Sequence, residues 1–149
     1  MINILLYAHI LLFVFSFAFT SGYGILLNRV AAGRNAASIH AAFSAAAPFS
    51  GAGSAGWMLT AVSGAALAYV MGYDLTAPWL LASYALFVFL AAIGIGLHKP
   101  WHEKVIAASA GGGSPELEKI LTASSHRLAG GLSALGILVL IWLMVARPG

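Results

Sequence analysis

Leu75–His98, LTAPWLLASYALFVFLAAIGIGLH, runs without one Asp, Glu, Lys or Arg. A bilayer core of about 30 Å is crossed by about 20 apolar helical residues, because a helix rises about 1.5 Å per residue. The stretch has that length and that chemistry. Three others share its freedom from charge, Met1–Asn28, Asn35–Tyr73 and Leu128–Ala146. The chain carries only 7 Lys and Arg and 4 Asp and Glu, and its hydrophobic residues reach 61%. Soluble domains carry about a quarter of their residues as charges. The expected fold is therefore all-α, an integral membrane antiparallel four-helix bundle in a single domain. Its spans are placed at about 4–27, 49–72, 78–99 and 122–146.

The charges between the spans give the orientation. Arg29, Arg34, Lys99, Lys104, Lys119 and Arg127 lie in or beside the first and third connections, and Arg147 lies at the opposite surface. Cations collect on the cytoplasmic side of a membrane. Both termini are then expected outside, in the periplasm of a bacterial inner membrane. The first span lacks a basic leader and is longer than a signal-peptide core of about 7–15 residues, so it is expected to be retained. Trp79 and Trp101 are expected at the two interfaces of the third span. Pro48 divides the second stretch, and Asn35–Ala47 is expected to form either an interfacial helix or an extension of the span on the cytoplasmic side, with the span proper following. Ser114-Pro115-Glu116 reads as a helix start, with a Ser cap, Pro in the first turn and acids on the positive end of the helix dipole.

Lipid removes most of the hydrophobic drive for helices to associate, leaving close packing and interhelical hydrogen bonds. On the second span Ala52, Gly56, Thr60, Gly64, Ala68 and Gly72 recur at every fourth position, a small-residue seam. On the first, His9, Ser16, Thr20 and Gly24 share a face that must point into protein.

With no Cys, thiolate metal sites, iron–sulfur clusters and Cys nucleophiles are excluded. No nucleophile triad can be assembled, so catalytic residues and enzyme activity stay undetermined. The chemically loaded residues are the 5 histidines. An ionisable group inside a span is a functional candidate by default. His9 lies within the first span and is read either as a cofactor ligand or as a buried imidazole bonded to another helix. His98 and His102 are four apart, which puts two imidazoles on one helix face, as a metal site requires. His126 on the neighbouring helix would be a third metal ligand, or would pair with His98 on a haem. The other reading is that these interfacial rings meet lipid headgroups.

His9, Leu59–Gly64 (LTAVSG), Trp79-Leu80, His98–Lys104 (HKPWHEK) and Val145–Pro148 (VARP) together resemble a superfamily of small four-span bacterial membrane proteins. It includes HemJ-type protoporphyrinogen oxidases, the CopD copper-resistance domain and several uncharacterised families. The resemblance implies the topology and, at His9, a haem ligand. The Lys that follows the third-span Trp in HemJ-type enzymes has no counterpart near Ser83. The leading expectation is a protein associated with haem b or a metal in redox, tetrapyrrole or copper physiology, with His9, His98 and His126 binding the cofactor. The alternative is a non-catalytic membrane subunit or scaffold that packs other helices through its small-residue stripe. Expected partners are the lipid bilayer and a membrane-protein partner or a second copy, with no nucleic acid.

Overall fold

The computed structural model describes residues 2–148, and they are helical almost throughout. Helix α1 runs over Ile2–Ala32, with a widened π turn at Ala18–Gly22. Helix α2 is Ala36–Val70, and α3 is Pro78–Ser109 with a second π turn at Gly94–His98. Helix α4, Pro115–Thr122, is followed after an extended Ala123 by α5, Ser124–Ala146.

Besides its buried apolar clusters, the molecule exposes many large aliphatic side chains while burying several hydroxyls. Ser16, Thr60, Ser83 and Ser109 are buried, while Ile4 is 75% exposed, Val88 65% and Val145 78%. Each buried hydroxyl is satisfied by a carbonyl one turn back, those of Leu12, Gly56, Trp79 and Val105 respectively. Helices whose polar groups face inward and whose aliphatic groups face outward are stable where the solvent is hydrocarbon. Ile2–Ala32, Pro78–Ser109 and Pro115–Ala146 are long and apolar enough to cross a membrane. Helix α2 is long enough but not among these three, because Ala, Gly, Ser and Thr supply most of its surface.

The expected antiparallel bundle is found in part, as helix pairs. In the first pair the small residues of α2 receive the polar face of α1. A Cβ added to Gly64 would stand 2.9 Å from His9 Cε1, one on Gly56 2.5 Å from Ser16 Oγ, and one on Gly53 2.8 Å from Thr20 Cγ2. Descending α1 thus matches ascending α2 step for step, an antiparallel register. Gly53, and not Ala52, closes the seam at that end, since Ala52 is exposed. Gly72 at the other end does not pack at all. It turns the chain at φ +73°, a conformation that costs other residues a Cβ clash. Trp57 fits beside the seam, its ring edge-on to Phe13 at 5.6 Å and its N–H donating to Thr20 Oγ1 at 3.1 Å.

The second pair is α3 with α5. Gly136 lies so close to α3 that a Cβ there would come within 2.7 Å of Leu90 Cδ2. The pairs meet at their two ends. At one end, Leu27, Ile39, Phe43, Trp101, Val105 and Leu117 form a cluster from four helices. At the other, Ala68, Trp79, Leu80 and Leu143 pack with Tyr73. Arg147 adds a contact there, its guanidinium 4.9 Å over the Tyr73 ring and donating to the Tyr73 hydroxyl. In the intervening loop, the Thr76 hydroxyl and N–H hold the Asp74 carboxyl below its usual range.

Two sequence expectations need correction. Helix α2 is not divided at Pro48. The ring removes one backbone hydrogen bond, to the Ser44 carbonyl, but Phe43 and Ala46 before it and Gly53 after it are buried and hold the helix in line. Pro100 lies inside α3, which continues past His98 to Ser109. The π turn just before it, in which the Lys99 N–H reaches the Gly94 carbonyl, widens the helix where the proline ring would meet the carbonyl of Gly96. Finally, Trp79 and Trp101 are 8% and 9% exposed, so they anchor the two internal clusters and not an aromatic belt. Trp142, at 56%, is the exposed one. The Ser114 start is as expected, its hydroxyl accepting from the Leu117 N–H at 3.2 Å.

Candidate imidazole sites

The five histidines fall into three settings. His9 stands on α1 against the backbone of Gly64, with Nδ1 3.0 Å from Ser63 Oγ. The Ser63 hydroxyl hydrogen is already given to the Thr60 carbonyl at 3.0 Å. Ser63 Oγ therefore accepts, His9 carries its proton on Nδ1, and the Nε2 lone pair is left free. Sequence reasoning missed Ser63, although it lies in the quoted LTAVSG segment. The signal was its position next to Gly64 on the seam that receives His9. Ser63→Ala should cost about 0.6 kcal/mol, the usual worth of an interhelical hydrogen bond in a membrane, measured as a small fall in thermal stability in detergent.

His40 is a structural residue. Its Nδ1–H donates to the Ile106 carbonyl at 3.2 Å and stands 3.4 Å from Ser109 Oγ, tying α2 to α3.

The third setting lies where α3, α4 and α5 meet. The imidazole of His126 stacks on Trp101 with centroids 3.5 Å apart and planes 5° from parallel. The Trp101 N–H donates to the Ile120 carbonyl at 3.2 Å, which fixes the indole. On α3, the His98 ring stands nearly perpendicular to that of His126, at 86° with 5.5 Å between centroids, and its Nε2 is 3.2 Å from Ser133 Oγ on α5. His126 Nδ1 is buried and has no hydrogen-bond partner. Most buried polar atoms are paired, so an orphan marks a place where something else belongs.

His102 does not complete a three-imidazole centre with His98 and His126. Its ring packs against Phe43 at 5.2 Å and Trp101 at 5.4 Å, toward α2. The i, i+4 spacing places the two rings on one side of the helix, but His98 faces α5 through Ser133 while His102 packs on Phe43 of α2. Among the described residues, no three of His, Asp or Glu are grouped to hold a metal ion. The pair His98 and His126 is what the fold brings together. His9 pairs with Ser63 on α2, in the other helix pair.

The small-residue seam is filled by the chain's own first helix.

No curated protein and no solved structure matches the chain. A family model described as predicted integral membrane protein (DUF2269) matches residues 3–148, nearly the whole sequence. The inward serines, the outward aliphatic side chains and the three apolar helices agree with that description, and the chain belongs to this family of predicted integral membrane proteins.

Proposed function

We propose that the protein is a four-span membrane protein of the bacterial inner membrane, both termini outside, that holds a metal ion between His98 and His126 at the inner boundary. The orphaned Nδ1 of His126, buried beside a second imidazole on the neighbouring helix, is the observation that carries this reading. With metal–nitrogen bonds of about 2.0–2.1 Å, two imidazoles on one tetrahedral ion have ring centres about 5 Å apart. The observed 5.5 Å is close to that value. Ligating histidines commonly bond their second nitrogen to an oxygen, and Ser133 offers this to His98. Imidazole suits zinc, copper, iron and nickel. Two protein ligands leave the remaining positions open, which favours an ion that exchanges over one locked in a structural site. That agrees with the copper physiology implied by the CopD-like resemblance.

Haem does not fit between these two rings, because their centres are 5.5 Å apart, closer than two axial imidazoles on opposite faces of a porphyrin, and Trp101 stacks on His126. A haem b reading attaches instead to His9, whose proton on Nδ1 leaves Nε2 free to ligate, as the HemJ-like resemblance implies. Elemental analysis and a visible spectrum of the purified protein separate the two. We expect bound metal that falls by at least tenfold in His126→Ala and is unchanged in His9→Ala. A haem absorption band lost only in His9→Ala would replace the metal reading with the haem one. A colourless, metal-free protein that takes up no copper or zinc would sink both.

A further inference from the structure

A groove of about 490 Å³ opens beside the imidazole pair and has two unlike ends. Leu97 and Pro100 line one end, on the part of α3 within an apolar candidate span, and Leu97 is 48% exposed. Lys104 and Lys119 line the other, with Glu116. The two ammonium groups and one carboxylate leave that end net cationic. Lys104 stands on α3 and Lys119 on the amphipathic α4, so the fold brings two cations from separate helices to one opening.

The start of α5 also lines the groove. Ala123 lines the groove as the residue before α5, and it has no side-chain oxygen to cap the first-turn N–H groups. The positive end of a 23-residue helix is thus uncapped beside two lysines. Lys119 lies outside the imidazole pair, and the metal reading leaves this cationic end unexplained.

We propose that the groove is a binding site for an anionic glycerophospholipid, its phosphate between Lys104, Lys119 and the start of α5, and an acyl chain along Leu97. The apolar end decides for a lipid over a soluble phosphate, because only a lipid offers phosphate and hydrocarbon together. The depth is suitable, since basic pockets between membrane helices on the cytoplasmic side bind phospholipid headgroups.

The test is native mass spectrometry of the detergent-purified full chain with phosphatidylglycerol or phosphatidylcholine. We expect one phosphatidylglycerol per chain, retained at least tenfold better than phosphatidylcholine. Retention should fall about tenfold in the Lys104→Gln, Lys119→Gln double variant, recover in Lys104→Arg, Lys119→Arg, and be unaffected by Lys99→Gln, an exposed cation that does not line the groove. Both lysines are exposed, so helix content by circular dichroism should not change in either variant. Equal retention of the two lipids, or equal loss in Lys99→Gln, would overturn the site. Displacement of phosphatidylglycerol by millimolar inorganic phosphate would assign the groove to a soluble phosphate and overturn the lipid.

Discussion

Gly56→Leu is expected to separate the first two helices and cost roughly 3 kcal/mol, at the upper end of overpacking penalties. Even a Cβ at Gly56 would lie 2.5 Å from Ser16 Oγ and 3.2 Å from Phe15 Cδ1. Ser16 is fully buried and its hydroxyl is committed to the Leu12 carbonyl, so it cannot swing away without leaving a polar group unpaired in hydrocarbon. The remaining atoms of Leu have nowhere to go unless α1 moves. The neighbouring contacts would go with it, His9 with Ser63 and Trp57 with Thr20. Thermal unfolding in detergent should show a large fall in stability and poor accumulation in the membrane. Gly130→Leu is the companion measurement. A Cβ there meets nothing within 4 Å, and that variant should behave like the natural protein.

Trp101→Ala is expected to be comparably severe, about 3–5 kcal/mol by the usual cost of removing a buried aromatic. The indole is the common contact of Phe43, His102 and His126, and its N–H bonds the Ile120 carbonyl. Its removal leaves a cavity between α2, α3 and the α4–α5 junction. The helical hairpin of α3 and α4 should then loosen, and limited proteolysis should cut more rapidly at Gly111–Gly113. Trp142→Ala provides the contrast, because that ring is 56% exposed and holds no cluster together. A metal between His98 and His126 should also be lost in Trp101→Ala, since the stacked indole fixes the His126 ring.

Much of the packing was legible from residue types alone. Four charge-free stretches pointed to the helices. The inward face of α1 was readable because His9, Ser16 and Thr20 are the polar groups that hydrocarbon rejects. The small-residue seam was readable from its four-residue period. Its register was less so: Ala52 and Gly53 are equally small, and only the facing Thr20 chooses between them. Pro48 left two readings open, because proline announces a missing hydrogen bond but not whether neighbouring contacts absorb it. Trp79 and Trp101 were misread because an aromatic at a span boundary satisfies the belt and the end-cluster positions equally well in sequence. The split of the histidines into His98 with His126, and His102 with Phe43, depends on which neighbouring helix meets each ring. No spacing rule contains that information.

The most direct test of the account is whether α2 crosses the membrane, since it is the one long helix whose apolarity does not announce a span. The chain has no cysteine, so single cysteines report without background. Gly33→Cys lies between α1 and α2, and Asp74→Cys between α2 and α3. In intact cells a membrane-impermeant maleimide should label position 74 and reach position 33 only after permeabilisation. Labelling of both positions from the same side would contradict the four-span account.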